Sequence, residues 1–281
     1  MGKEGIKAKL AMMQANPSQP QRQNTKACLI TGAADRLGRS IALAMADAGW
    51  DIAIHYRSSK EKALRLAETV QAKGRKTALL QADFSDSAQA CALIGQAANA
   101  LGHLSCLINN ASGFEFDRPE NVDPELAARM FQVNALAPCL LTQALYQQLK
   151  PMHAQGSDPI GVAIHLLDQK LANPNPDFFS YTLAKAALHE AMRLQAMAFA
   201  PVIRVVGLAP GLTLPSGDQT AEEFQKTRTM APLGDTSRPE EVAQAVAWLA
   251  QARAVTGTML LVDAGQHLMA QPRDVMMMVR P

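Results

Sequence analysis

Several kinds of protein are excluded by what this 281-residue sequence does not contain. Its four cysteines, at 28, 91, 106 and 139, have none of the short C-x-x-C spacings of a metal site or a redox dithiol, and they read as reduced core thiols. The six histidines are scattered without ligand spacing, so no metal is expected. A formal charge of only +2 offers no strong field for nucleic acid or an anionic membrane. No run of about twenty apolar residues occurs, and the opening MGKEGIKAKLAMMQANPSQPQRQN lacks the apolar core of a signal peptide. The expectation is a soluble, cytoplasmic chain. Internal repeats, a linker and a second domain are also missing from the pattern.

What is present is a regular alternation. Residues 1–24, with Pro17, Pro20 and many Gln and Asn, read as a flexible N-terminal extension. From Thr25 short β-rich runs (KACLIT, WDIAIHYR, KTALLQAD, LSCLINNA, IGVAIHLL, VIRVVGLAP, TMLLVDAG) alternate with helical patterns, including a long helix across 124–150 and another from near Ser180. Strands separated by crossover helices make a parallel sheet. The expected fold is α/β: a single Rossmann-type, doubly wound, seven-stranded parallel sheet with helices on both faces, over residues 25–269. A loop-rich stretch, 212–235, is placed as a substrate lid with Gly211, Pro215 and Gly217 as turning points, and 270–281 as a C-terminal tail.

Chemistry-bearing residues fall where strands end. After the first strand, Thr31-Gly32-Ala33-Ala34-Asp35-Arg36-Leu37-Gly38-Arg39-Ser40 opens a helix: Gly32 permits the tight turn, Gly38 lets helix and strand pack closely, and the helix N-terminus presents free N–H groups to a pyrophosphate. An ordinary strand-to-helix turn would look similar. The second strand ends His55-Tyr56-Arg57-Ser58-Ser59 rather than in the acidic residue that binds a ribose 2′-hydroxyl, so Arg57 and Ser58 favour a 2′-phosphate and hence NADP(H). One charge-assisted bond of about 1.5–3 kcal/mol implies a roughly tenfold to hundredfold preference. Asp83, ending the third strand, is placed to meet the adenine edge. Tyr181 and Lys185, four apart on a helix, share a face, and the ammonium is expected to favour the ionised phenol, moving it toward a working acid-base range.

In this order and at these intervals, T-G-x(3)-R-x-G, Asn109-Asn110-Ala111-Ser112, Asn134, Tyr181 with Lys185, and Pro210-Gly211 resemble the short-chain dehydrogenase/reductase family over about residues 25–269. The resemblance implies that Gly32, Leu37, Gly38, Tyr56, Asn110, Ala111, Lys185, Pro210 and Gly211 border the cofactor, that Tyr181 passes the proton, and that Asn134 fixes a main-chain and water arrangement behind Lys185. It also implies a homotetramer through 124–150, 180–200 and the last strand, with Ala135, Leu136, Leu140 and Leu141 on an apolar face that intrachain packing could equally use.

Two departures from the family pattern carry the substrate reading. Arg36 replaces the usual middle glycine of the first turn, and Asp168, 13 residues before Tyr181, replaces the usual catalytic serine. A carboxylate there would repel a developing alkoxide, whereas a carboxyl of raised pKa could help to protonate the nitrogen of a C=N bond. Arg36, Asp168, Ser112 and Phe114 together resemble the pteridine reductase branch, in which an aromatic ring, here Phe114, stacks on the pterin. That resemblance implies substrate contacts from Arg36, Ser112, Phe114, Asp168, Tyr181 and Leu214, with Arg36 also beside the cofactor phosphates and Ser112 bonding cofactor or ligand. Bland roles exist for each: Phe114 as a core plug, Asp168 as a turn cap, Arg36 as a surface ion-pair partner. Some pteridine reductases end with an arginine that enters a neighbouring subunit's site; here the chain continues as GQHLMAQPRDVMMMVRP, with Arg273 or Arg280 as substitutes and Met276-Met277-Met278 as subunit-contact packing. The alternatives are a carbonyl reductase for an oxoacyl thioester or a sugar, and a non-catalytic NADP-binding regulatory protein.

Overall fold

The structure is a computed structural model that describes residues 26–156, 161–217 and 219–279. The N-terminal extension and Arg280 lie outside them. β1 (Ala27–Ile30), α1 (Arg36–Asp47), β2 (Asp51–Tyr56), α2 (Lys60–Ala72), β3 (Thr77–Gln81), α3 (Ser87–Leu101) and β4 (Cys106–Asn109) form the first half. The second comprises α4 (Pro124–Phe131), α5 (Ala137–Ala154), β5 (Gly161–Leu166), α6 (Phe179–Phe199), β6 (Ile203–Pro210), α7 (Ala221–Arg228), α8 (Pro239–Gln251), β7 (Met259–Val262) and α9 (Val275–Met278).

The seven strands are ordered β3-β2-β1-β4-β5-β6-β7 and every pairing is parallel. Strand residues alternate between two cores, as period-2 geometry requires. Cys28, Ile30, Ile108, Ile164 and Val206 pack under α1, α2 and α8 with Ile41, Met45, Leu66 and Val246, whereas Leu29, Leu107, Ala163 and Val205 pack under α3, α5 and α6 with Leu93, Leu145 and Met192. Each fully buried Leu or Ile contributes about 1.5–3 kcal/mol of transfer free energy, so these two layers fix the sheet and hold its carboxyl edge still. Strand order reverses between β1 and β4, and ligands of such sheets bind beyond the strand ends at that switch.

Several expectations are corrected. The helix across 124–150 is two helices joined by a π-helical segment, Gln132–Leu136, that carries Asn134. The loop-rich stretch contains α7, started by a capping box in which Thr220 Oγ1 accepts from Glu223 N and Glu223 Oε2 accepts from Thr220 N. Cys28 and Cys106 are buried, but Cys139 is half-buried and Cys91 is exposed on α3, which faces solvent at that position. Met276 packs not outward but into a third apolar cluster of its own chain, with Leu126, Met130, Phe178, Tyr181 and Ala184.

Candidate active site

A cavity of about 970 Å³ runs along the carboxyl edge, from the turn after β1 past the ends of β2 and β3 to Tyr181 and the start of the 212–217 stretch. Gly32, Arg36, Leu37, Gly38, Tyr56, Arg57, Ser58, Asp83, Asn110, Ala111, Ser112, Phe114, Asp168, Tyr181, Lys185, Pro210, Gly211 and Leu214 all line it; Asn134 is the one proposed site residue that stands behind the wall. Its size is at the upper end of the range for small-molecule sites.

The turn after β1 is built by backbone economy. Gly32 has a φ of +62°, and a Cβ on Gly38 would lie 2.1 Å from the Gly32 carbonyl oxygen and 2.7 Å from Asn110 Nδ2. Only hydrogen side chains let the turn close against β4. Asn110 then bolts it: Nδ2 donates to the Thr31 and Gly32 carbonyls at 2.9 and 3.1 Å, and Thr31 Oγ1 accepts from the backbone N–H of Asn110 and of Ala111, both at 2.9 Å. Arg36 stands at φ +51°, the left-handed region that glycine would occupy at no cost. Its Nη2 donates to the Pro215 carbonyl at 2.6 Å, so the turn is tied to the 212–217 stretch rather than to a surface carboxylate.

His55, which no motif singles out, clasps the turn to the sheet. Gly32 N donates to Nδ1 at 3.0 Å and Nε2 donates to the Ala82 carbonyl at 3.1 Å, while the ring stacks on Phe84 at 4.5 Å. Burial pulls its pKa down to about 4, so it stays neutral and can both accept and donate. A histidine inside a buried strand carries no spacing signal; only tertiary structure sets it beside Gly32. Arg57 lies exposed at the end of β2, and its cation helps to hold the Asp83 carboxyl low, after the larger effect of the bonds from Ser85 N and Oγ, both 2.9 Å.

Tyr181 and Lys185 share the inner face of α6 and are 6 % and 3 % exposed. The helix start is set by Asp117, whose carboxylate accepts from Ser180 N at 3.0 Å and Ser180 Oγ at 2.5 Å. Tyr181 Oη donates to Asp168 Oδ2 at 2.7 Å, and Asp168 Oδ1 accepts from Lys170 N at 2.8 Å. The expected proton chemistry is corrected here: burial, then the Asp168 carboxylate, push the Tyr181 phenol up rather than down. Burial likewise raises the Asp168 carboxyl, against its two hydrogen bonds and Lys185. Lys185 is pulled down to about 8 by burial, its Nζ donating to the Leu166 carbonyl at 2.7 Å and lying 5.6 Å from the Tyr181 ring centre. Tyr181 and Asp168 therefore form a proton-holding pair, with the ammonium to one side.

Asn134 is not bonded to Lys185 through its side chain. Oδ1 accepts from Ser112 Oγ at 2.8 Å and Gly113 N at 2.9 Å, and Nδ2 donates to the Gly113 carbonyl at 3.0 Å. It fixes the loop after β4, and Ser112 spends its hydroxyl proton there. Phe114, 40 % exposed, is no core plug: it stacks on Phe178 at 4.1 Å and meets Tyr181 edge-on at 4.8 Å, so part of the ring faces the cavity beside the phenol.

A model of the enoyl-(acyl carrier protein) reductase family, a short-chain dehydrogenase/reductase group, matches residues 32–267. The chain belongs to the short-chain dehydrogenase/reductase family, and it is an oxidoreductase of that family. Pteridine reductase 1 of Leishmania tarentolae is 32 % identical over 276 residues, covering 85 % of this chain and 96 % of that one. A solved structure of FolM alternative dihydrofolate reductase 1 from Brucella suis in complex with NADP matches with TM-score 0.82 and 34 % identity, covering 88 % of this chain and 97 % of that one. The 3-oxoacyl-[acyl-carrier-protein] reductase FabG of Staphylococcus aureus is 29 % identical over 259 residues, with 87 % and 99 % covered.

Proposed function

We propose that this protein is an NADPH-dependent reductase of a pterin C=N bond, converting a dihydropterin to its tetrahydro form. The observation that carries the reading is the half-buried Asp168 carboxyl bonded to Tyr181 at 2.7 Å, in the cavity where Phe114 offers a ring face. The relation to a pteridine reductase and to an alternative dihydrofolate reductase solved with NADP supports it.

The residues present fit a dinucleotide. The Gly38 cradle admits no side chain, the first turn of α1 has N–H groups without intrahelical acceptors, and Arg57 with Ser58 lines the cavity at the end of β2, where the pair would hold a 2′-phosphate. The cofactor is NADP(H), which when bound supplies hydride from its nicotinamide ring. Leu37, Gly38, Arg57, Ser58 and Asp83 would hold the adenine and phosphate half, and Lys185, Pro210 and Gly211 the nicotinamide half. Phe114 positions the flat substrate, Leu214 and the 212–235 lid cover it, and Arg36, held on the Pro215 carbonyl, ties that lid to the phosphate turn. Tyr181 gives its proton to the substrate nitrogen next to the carbon that is reduced. Asp168, whose carboxyl burial pushes above the usual carboxylate range, takes up a proton from solvent and returns it to Tyr181 Oη. The Lys185 ammonium offsets negative charge that develops on the phenol oxygen.

Leu183, Leu194 and Met197 stay exposed on α6, which supports a homo-oligomer built on that helix. Among the described residues no helix is long and apolar enough to cross a membrane; the cytoplasm is the proposed site of action. The deciding experiment follows NADPH oxidation with dihydrobiopterin, dihydromonapterin and dihydrofolate against simple ketones, a sugar and an oxoacyl thioester. Pterin turnover supports the reading. Turnover of carbonyl compounds alone would replace it with the FabG-like alternative, and tight NADPH binding without any hydride transfer with the regulatory one.

A further inference from the structure

Past β7 the chain turns back across its own site. Arg273 Nε donates to both oxygens of Asp177, at 3.0 and 2.7 Å, and Asp274 N donates to Asp177 Oδ2 at 2.9 Å; the Asp177 side chain is fully buried. Asp274 Oδ2 accepts from Lys170 Nζ at 3.1 Å, and Oδ1 caps α9 by accepting from Met276 N at 3.0 Å. Lys170, 3 % exposed, is the residue whose backbone N–H holds Asp168. Asp274, Val275 and Met276 line the same cavity as Phe114, Asp168 and Tyr181, and Met276 packs in the cluster that contains Phe178 and Tyr181.

Buried ion pairs are costly unless their geometry is set by the fold, and a tail without a task would leave its charges in water. Here two pairs, each with one buried partner (Asp177 and Lys170) and one part-exposed partner on the tail (Arg273 and Asp274), bind the tail to the segment 168–178, which carries Asp168 at one end and Phe178, the support of Phe114, at the other. We propose that residues 273–278 form the substrate-side wall of this chain's own active site, clasped in cis by Arg273–Asp177 and Asp274–Lys170. Val275 and Met276, in the cavity that Phe114 also lines, make that wall fit a flat, uncharged heterocycle and bar a long acyl chain. Arg273 and Asp274 are positioning residues: they act on substrate through the wall and through Lys170. The fit to a heterocycle rests on the pterin reading; the cis wall does not.

Three measurements test it. In a chain lacking only 271–281, KM for a dihydropterin should rise at least tenfold while the NADPH Kd stays within twofold. The paired Arg273→Ala, Asp177→Asn variant, which leaves no buried carboxylate unpaired, should show the same split and guards against a truncated chain that fails to fold. Without substrate, amide hydrogen exchange across 168–182 should quicken in both variants. Finally, the tailless chain co-expressed with Tyr181→Phe should give mixed oligomers no more active than the two chains apart. Unchanged KM and exchange, or activity recovered in the mixed oligomer, would overturn the cis wall. If the intact protein turns over no pterin, the pterin reading fails by itself, and the exchange data with the NADPH Kd still decide the wall.

Discussion

Replacing Asp168 by Asn probes the proposed proton path with almost no change of shape. The side-chain oxygen can still accept from Lys170 N, now at 2.8 Å, but the amide NH₂ then faces Tyr181 Oη, which at present donates across 2.7 Å. Tyr181 must turn from donor to acceptor, and one charge-assisted bond of about 1.5–3 kcal/mol is lost together with the group that re-supplies its proton. If the bond matters mainly in the transition state, kcat for dihydropterin reduction should fall about ten- to 150-fold, since each 1.36 kcal/mol is about tenfold. Asp168 does not contribute to the phosphate half of the cavity, so the NADPH Kd should stay within about twofold. A second signature is electrostatic. The Asp168 carboxylate opposes the downward pull of burial on Lys185, so removing it should move the alkaline limb of the pH profile to lower pH. Stopped-flow reduction and pH profiles of kcat/KM would measure both. Unchanged kcat with an unmoved limb would refute the role of Asp168 and leave it a turn cap for Lys170.

The remaining predictions concern charge and close packing. Lys185, pulled from an ordinary value near 10.5 to about 8, is cationic only below that pH, so kcat/KM should decline as pH rises through about 8; Lys185→Arg should remove that limb, as guanidinium keeps its charge. The same shift has a stability sign: the folded pKa lies below the unfolded one, so the stability that this lysine contributes above its unfolded pKa is lost as pH falls through about 8. The gap corresponds to about 3 kcal/mol and should be visible in urea unfolding of wild type against Lys185→Met at pH 6 and pH 10. Arg57→Ala should weaken NADPH about tenfold to hundredfold and leave NADH unaffected, as read by fluorescence titration. Gly38→Ala places a carbon 2.1 Å from the Gly32 carbonyl, so the turn must open; NADPH affinity should fall at least a hundredfold while far-UV circular dichroism is retained.

Much of the molecule was legible along the chain because its signals are local. Strand and helix periods gave seven parallel strands, since a buried parallel strand needs a short apolar run and a crossover needs a helix. Gly32 and Gly38, Arg57, and Tyr181 with Lys185 are also local statements: a turn, a strand end and a helix face. The two departures, Arg36 and Asp168, fall at unusual positions, one in a left-handed conformation and one bonded to the tyrosine.

What the sequence could not settle is what depends on distant segments meeting. The direction of the Tyr181 shift follows from burial and Asp168, not from the lysine four residues on, because desolvation is a property of the assembled core. His55 finds Gly32 and Ala82 only when three strands align. Asn134 reaches Gly113 because a π-turn redirects it, and Met276 reaches Tyr181 because buried Asp177 captures Arg273 from 96 positions away. Periodicity and motif spacing report the backbone's local geometry; the electrostatics of the site and the placement of the tail are decided by which charges the tertiary fold removes from water together.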